Sequence, residues 1–265
     1  MRFFALFLLL LFGEVNAQMN SGARFTGMAN AGAALEDIYS LGNNQAGIAS
    51  IKLPIVALTY EEHFYSLNSH SLAAMAVMPG RFGNVGLYGS KYSMDHSFNQ
   101  LRGGITYARL VGTKLSTAIT LNYHQLSIPE ALVEKDLTFD LGFQYRLSDD
   151  WLLGIRFANL LDLITDKVAS YQIPVKLRIG MSYAFSEQVL LAMESGFDQN
   201  KHRDFHLGIE YSILNWLNLR GGTSVNPFQR YAGAGIKTQR IRLELASSFH
   251  PQLGVSPQLS LSYAL

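Results

Sequence analysis

Period-two alternation between large apolar residues and small or polar ones limits this chain's folds more than any other feature. Residues 137–147 place Leu137, Phe139, Leu141, Phe143, Tyr145 and Leu147 on odd positions, with Thr, Asp, Gly, Gln and Arg between them. Residues 175–183, 205–212, 241–245 and 257–265 repeat the pattern, the last through Leu259, Leu261, Tyr263 and Leu265. Successive side chains of a strand point to opposite faces, so each segment reads as a strand with one apolar and one polar face. The face opposite the bulk carries Gly, Ala, Ser, Thr and charged residues. A soluble barrel would place its bulk inside and its charges outside. The reverse arrangement suits a closed barrel in lipid, where closure leaves no backbone group unpaired.

Fourteen such segments are expected, near 54–61, 69–78, 82–91, 101–109, 114–125, 136–147, 150–159, 174–185, 188–197, 203–213, 216–224, 229–238, 241–249 and 257–265. Glycine blurs the parity of 82–91 and 229–238. Connections after even-numbered segments are tight, as at Pro79-Gly80, Ser148-Asp149-Asp150 and Ser186-Glu187. Those after odd-numbered segments read as longer, at 62–68, 92–100, 126–135, 160–173 and 250–256. Outer-membrane barrels have short periplasmic turns and longer extracellular loops, so both termini are expected in the periplasm. Tyr60, Tyr107, Trp151, Tyr183, Tyr211, Trp216 and Tyr263 sit where aromatic girdles would contact the membrane interfaces.

The N-terminus reads as an export signal. Arg2 precedes an apolar run from Phe3 to Phe12, and Val15-Asn16-Ala17 fits a cleavage site before Gln18. The run is too short to span a bilayer, which takes about 20 apolar residues. The expected organisation is therefore a signal peptide over 1–17, an N-terminal segment over 18–53 and a barrel over 54–265. Charged residues are only 15% of the chain, against about 25% in ordinary soluble proteins. A formal net charge of +1 gives no sign of a nucleic-acid partner, and the absence of cysteine excludes disulfide scaffolds and cysteine metal sites.

Residues 22–50 do not alternate. Gly22, Ala23, Arg24, Gly27, Met28 and Ala31, followed by Asp37, Asn44, Ala46, Gly47 and Ile48, form a small-residue stretch leading to an Asp…Asn-x-Ala-Gly-Ile motif. This resembles the N-terminal signature of the FadL superfamily, in particular its PorV/PorQ-type members in Bacteroidota, with Gln45 where that family usually has Pro. The resemblance implies an all-β transmembrane antiparallel barrel of about fourteen strands, with this segment as a lumenal plug. Gly and Ala allow close backbone packing against a barrel wall. Apolar content and low charge argue against a disordered tail.

By parity, Arg102, Asp140, Arg156, Lys176, Arg178, Glu194, His206, Glu210, Arg220, Arg242 and Glu244 should face the lumen. A selective pore more often carries a ring of one sign, so mixed signs suggest an obstructed, cross-linked interior. A solvated channel wall stays open as an alternative. His70-Ser71 and His96-Ser97 lie near expected outer strand ends, where outer-membrane lipases and deacylases work. No third residue orients either pair, however, and an activated nucleophile needs both a base and an orienter. No pair has metal-ligand spacing. Neither enzymatic activity nor a cofactor or metal is expected.

Two expected outer loops carry contiguous apolar residues, Ile128, Leu132 and Val133 in one and Leu161, Leu163 and Ile164 in the other. Exposed apolar residues of this kind read as a docking surface, unless the strands simply extend further. The family resemblance implies a non-enzymatic accessory to protein secretion or surface assembly, with outer-membrane lipid around it and a protein partner in a complex. FadL-like transport of a hydrophobic small molecule is the alternative, and a general diffusion porin a third reading. Strands of about 9–11 residues leave little of the chain for large ligand-capturing loops, which favours the accessory role.

Overall fold

The computed structural model describes residues 22–64, 68–95, 98–129, 131–163, 173–199 and 202–265. The expected signal peptide lies outside these. Fourteen strands follow in order: β1 (Ile55–His63), β2 (Ser69–Gly80), β3 (Gly83–Met94), β4 (Phe98–Val111), β5 (Leu115–Ile128), β6 (Leu132–Arg146), β7 (Trp151–Ala158), β8 (Lys176–Ala184), β9 (Val189–Asp198), β10 (Arg203–Leu214), β11 (Leu217–Val225), β12 (Gln229–Lys237), β13 (Ile241–His250) and β14 (Gly254–Ala264). Each pairs antiparallel with its sequence neighbours, and β1 closes the barrel on β14 from Ile55↔Ala264 to Glu61↔Gln258. The glycine-blurred segments are β3 and β12.

The alternation becomes an apolar exterior and a polar interior. Leu58, Leu87, Ile105, Leu121 and Leu245 are each more than half exposed, whereas the neighbouring Thr59, Thr106, Thr120 and Glu244 are buried. An unbroken apolar band of this kind on a closed barrel is a lipid-facing surface. Aromatic residues gather toward the rim carrying the turns after even-numbered strands. Tyr107, Tyr145, Tyr211, Trp216 and Tyr263 are exposed there, and Trp151 lies 4.4 Å from Tyr183 between ring centres.

The expected contrast between short turns and long loops does not hold. The connections 95–97, 129–131 and 251–253 are as short as those at the opposite rim, and only 159–175 is long. Ile128, Leu132 and Val133 are therefore strand residues, at the tip of the tall β5–β6 hairpin where Ile128 pairs with Leu132. The reason lies in the parity. Up to Tyr123 the large residues of β5 face outward, but above it Gln125 and Ser127 face outward while Leu126 and Ile128 face inward. A strand rising out of lipid has water on its outer face, so the pattern inverts and the strand reads as a loop. Beyond β7, Leu161 belongs to a single 3-10 turn over Leu160–Leu163. The Leu163 side chain and Ile164 lie outside the described residues.

The segment before β1 occupies the lumen. It comprises a short α-helix (Ala23–Gly27) and 3-10 turns over Ile38–Gly42 and Gln45–Ser50. Phe25, Met28, Tyr39, Leu41 and Ile48 are almost wholly buried and pack with Ala57, Ala73, Met75 and Val77 of the wall in one apolar cluster. At about 1.5–3 kcal/mol per fully buried large side chain, this contact holds the plug against the wall.

Candidate functional site

The plug fills the half of the lumen nearer the aromatic rim, and the opposite end is the mouth. In the plugged half an arginine organises the contacts. The Arg24 guanidinium lies 2.6 Å from Asp37 of the plug and 2.9 Å from Glu210 of β10. Arg220 of β11 continues the chain to Glu210 at 2.5 Å and to Glu244 of β13. Burial alone would lower the Arg24 pKa, but the Glu210 and Asp37 carboxylates raise it well above the ordinary value. Burial likewise pushes up the Tyr39 phenol, which stays neutral. Asp37 also accepts from the Tyr39 amide at 2.7 Å, capping the turn that follows.

Two further groups lie across the lumen. Arg178 of β8 pairs with Glu194 of β9 and, at 3.3 Å, with Asp204 of β10, while Glu194 accepts from the Ala33 amide at 2.7 Å. Arg156 of β7 meets Asp140 of β6 at 2.6 Å, and Asp140 also accepts from Gln45 of the plug. Arg146 reaches Glu36 of the plug. The mixed charges are thus wall-to-wall and wall-to-plug struts. Arg242 faces inward close to the aromatic rim and takes no part in the ion pairs just named.

The singled-out N-terminal residues all lie in the plug. Gly22 has φ 83°, a left-handed conformation that glycine alone adopts freely, and a side chain there would strike the Tyr39 ring. Gly27 packs against Arg220 and Gly233, Met28 is fully buried, and Gly47 lies against the Leu35 carbonyl. Asn44 donates to the carbonyls of Ala33 and Phe143 at 2.7 and 3.0 Å, joining plug to wall.

Sequence reasoning missed the uncharged wall residues that bind plug backbone. Asn84 donates to the carbonyls of Ile48 and Ile51, Gln144 to those of Ala33 and Leu35, and Ser182 to that of Ala34. Ser260 accepts from the Ala23 amide. Their inward parity was legible, but short polar residues at inward positions line any barrel and do not reveal what they bind.

The mouth has different chemistry. Met94, Phe98, Ile128 and Leu132 form an inward-facing row across the tops of β3, β4, β5 and β6, with Met94 opposite Phe98 and Ile128 opposite Leu132. Below the row, Tyr92 lies 5.9 Å from Phe98 between ring centres, and Leu126 is buried. Ile128 and Leu132 therefore line the entrance and do not project from a loop. Val133 points outward. Among the described residues, no group of three or more His, Asp or Glu side chains could hold a metal ion.

No protein-family model matches the chain, and no curated protein matches it. Solved structures do. The toluene transporter TbuX of Ralstonia pickettii superposes with a TM-score of 0.72 at 12% identity, covering 92% of this chain and 98% of that one. The CymD monoaromatic hydrocarbon channel matches with a TM-score of 0.72 at 14% identity, over 92% and 97% of the two chains. A Pseudomonas aeruginosa FadL homologue matches with a TM-score of 0.64 at 11% identity, over 92% and 98%. At such low identity the likeness is one of fold: the chain shares the closed fourteen-stranded barrel of these transport channels.

Proposed function

We propose that this barrel carries hydrophobic small molecules across a bacterial outer membrane. The apolar row at the mouth supports the reading most directly. Met94, Phe98, Ile128 and Leu132 turn inward where the outer strand face is already polar. An inward apolar surface at the entrance of a polar lumen is a place for a hydrophobic solute to leave water. The fold likeness to toluene and monoaromatic hydrocarbon channels points to the same class of solute. The plug then forms the floor of the entry vestibule, and the mouth faces outward with both termini in the periplasm.

The secretion-accessory reading rests on the N-terminal motif and on the little chain left for ligand-capturing loops. The motif residues Arg24, Asp37 and Asn44 are spent on holding the plug, and none of them lies on an outer surface for a partner protein. The test is uptake of radiolabelled toluene by cells producing the wild-type chain or the Ile128→Asp, Leu132→Asp double variant. Uptake should fall at least severalfold in the variant, with heat-modifiable gel mobility unchanged. Equal uptake by a folded double variant would remove the mouth from the pathway.

A further inference from the structure

On the wall above the plug, Glu61, His63 and Ser71 form a charge-relay arrangement. All three are inward positions at the mouth ends of β1 and β2, and Glu61 stands directly opposite Ser71 in the ladder. The His63 Nε2 is hydrogen-bonded to the Ser71 hydroxyl, and His63 Nδ1 lies 3.4 Å from the Glu61 carboxylate. In the tautomer with Nδ1–H directed at Glu61, Nε2 is free to accept the serine proton. A serine, a histidine and a carboxyl group thus stand in the order that a nucleophile, a base and an orienter require.

The position of His63 is fixed from several sides. Ser69 donates to its carbonyl at 3.0 Å, and the Tyr92 ring lies 5.2 Å away. The next residue, Phe64, has φ 46°, a left-handed conformation costly for a bulky side chain, and is held by a bond from its amide to Ser256 at 3.0 Å. Ala73, the next inward residue below Ser71, belongs to the plug's apolar cluster. The trio therefore stands just above the vestibule floor, beside Tyr92 and Phe98. The adjacent His70 is no partner for Ser71, because the two face opposite sides of the strand.

We infer that Ser71, His63 and Glu61 form a hydrolytic site for esters with an apolar acyl chain. Ser71 Oγ would attack the ester carbonyl carbon as His63 Nε2 takes the hydroxyl proton. The carbonyl–alkoxy bond then breaks, and His63 returns the proton to the departing alcohol. A water molecule, deprotonated by the same nitrogen, attacks the acyl-serine and releases the carboxylic acid with Ser71 restored. Ester and water give acid and alcohol, with no oxidant, reductant or metal required. Glu61 acts as a positioning residue through His63. The inference does not depend on the transport reading.

The purified full chain in detergent micelles is treated with a fluorophosphonate probe and, separately, with p-nitrophenyl octanoate. The expected result is an adduct mapped by mass spectrometry to the Ser71 peptide, with hydrolysis that Ser71→Ala and His63→Asn reduce to background. Glu61→Gln should lower kcat about 100-fold and displace the pH–rate profile, and Glu61→Asp should recover part of the rate. Heat-modifiable mobility reports folding of every variant. Absence of an adduct on folded wild-type protein overturns the inference, as does hydrolysis that survives in folded Ser71→Ala.

Discussion

Arg24 shows how much one plug side chain can hold. It bridges the buried carboxylate of Asp37 and the part-buried one of Glu210. Arg24→Ala would leave both without that cation, and breaking such a buried pair costs about 3–5 kcal/mol. The expected outcome is a barrel that still closes but whose N-terminal segment becomes cleavable by added protease, with a lower thermal midpoint. Because the folded pKa of Arg24 is raised above the ordinary arginine range, its contribution is complete below that range and is lost only above it. Protease resistance of the wild-type plug should therefore show no loss arising from Arg24 between about pH 7 and pH 10. Gly154 makes the complementary point by close approach. A Cβ there would stand 1.8 Å from the Ala33 carbonyl oxygen, a backbone atom that cannot rotate away. Gly154→Ala should unseat the plug around Ala33 and raise single-channel conductance in planar bilayers, while strand pairing survives.

Among the elements, the β5–β6 hairpin is the most informative. Its ladder runs unbroken from Leu115↔Tyr145 to Ile128↔Leu132, whereas β6 pairs with β7 only from Arg146↔Leu152 to Leu141↔Phe157. One side of the barrel wall therefore rises well above the other. The inner side of this rise carries Leu126, Ile128 and Leu132, and its outer side Gln125, Ser127, Val133 and Lys135. Val133→Asp should leave both folding and toluene uptake near wild type, since the residue is 58% exposed and points away from the mouth. If Val133→Asp were as damaging to uptake as Leu132→Asp, the inner face would not be the one in use.

At the scale of the whole molecule, closure and plugging are separable. The strand ladder closes through β1 and β14 without help from residues 22–50. Deleting those residues should leave a barrel with heat-modifiable mobility and raised conductance, and conductance equal to wild type would mean that the lumen is blocked by something else. The even strand number places both barrel ends on one rim, together with the turns at 147–150 and 185–188. The chain has no cysteine of its own, so single cysteines report cleanly. Ala131→Cys on whole cells should react with an impermeant maleimide, whereas Asp149→Cys and Glu187→Cys should react only after the outer membrane is breached. The reverse pattern would turn the barrel over.

The sequence by itself determined the strands, their number and which side chains face lipid. All three follow from a period-two pattern imposed by two immiscible surroundings on the two faces of one sheet, and Leu137 through Tyr145 display it without any tertiary information. Resemblance to the FadL N-terminal signature picked out Arg24, Asp37 and Asn44, and parity set the charges from Asp140 to Glu244 inward. Parity misled where the surroundings change along a strand. Above the membrane the outer face meets water, so Leu126 to Leu132 lost the expected parity and read as a loop. Only the tertiary structure decided which inward residues meet. Glu210 joins Arg24 across 186 positions of chain, and His63 joins Ser71 while the adjacent His70 turns away. Facing is a local property fixed by the two-residue repeat, but contact inside a closed barrel depends on ladder register and on the path of the plug, and neither is written in any one segment.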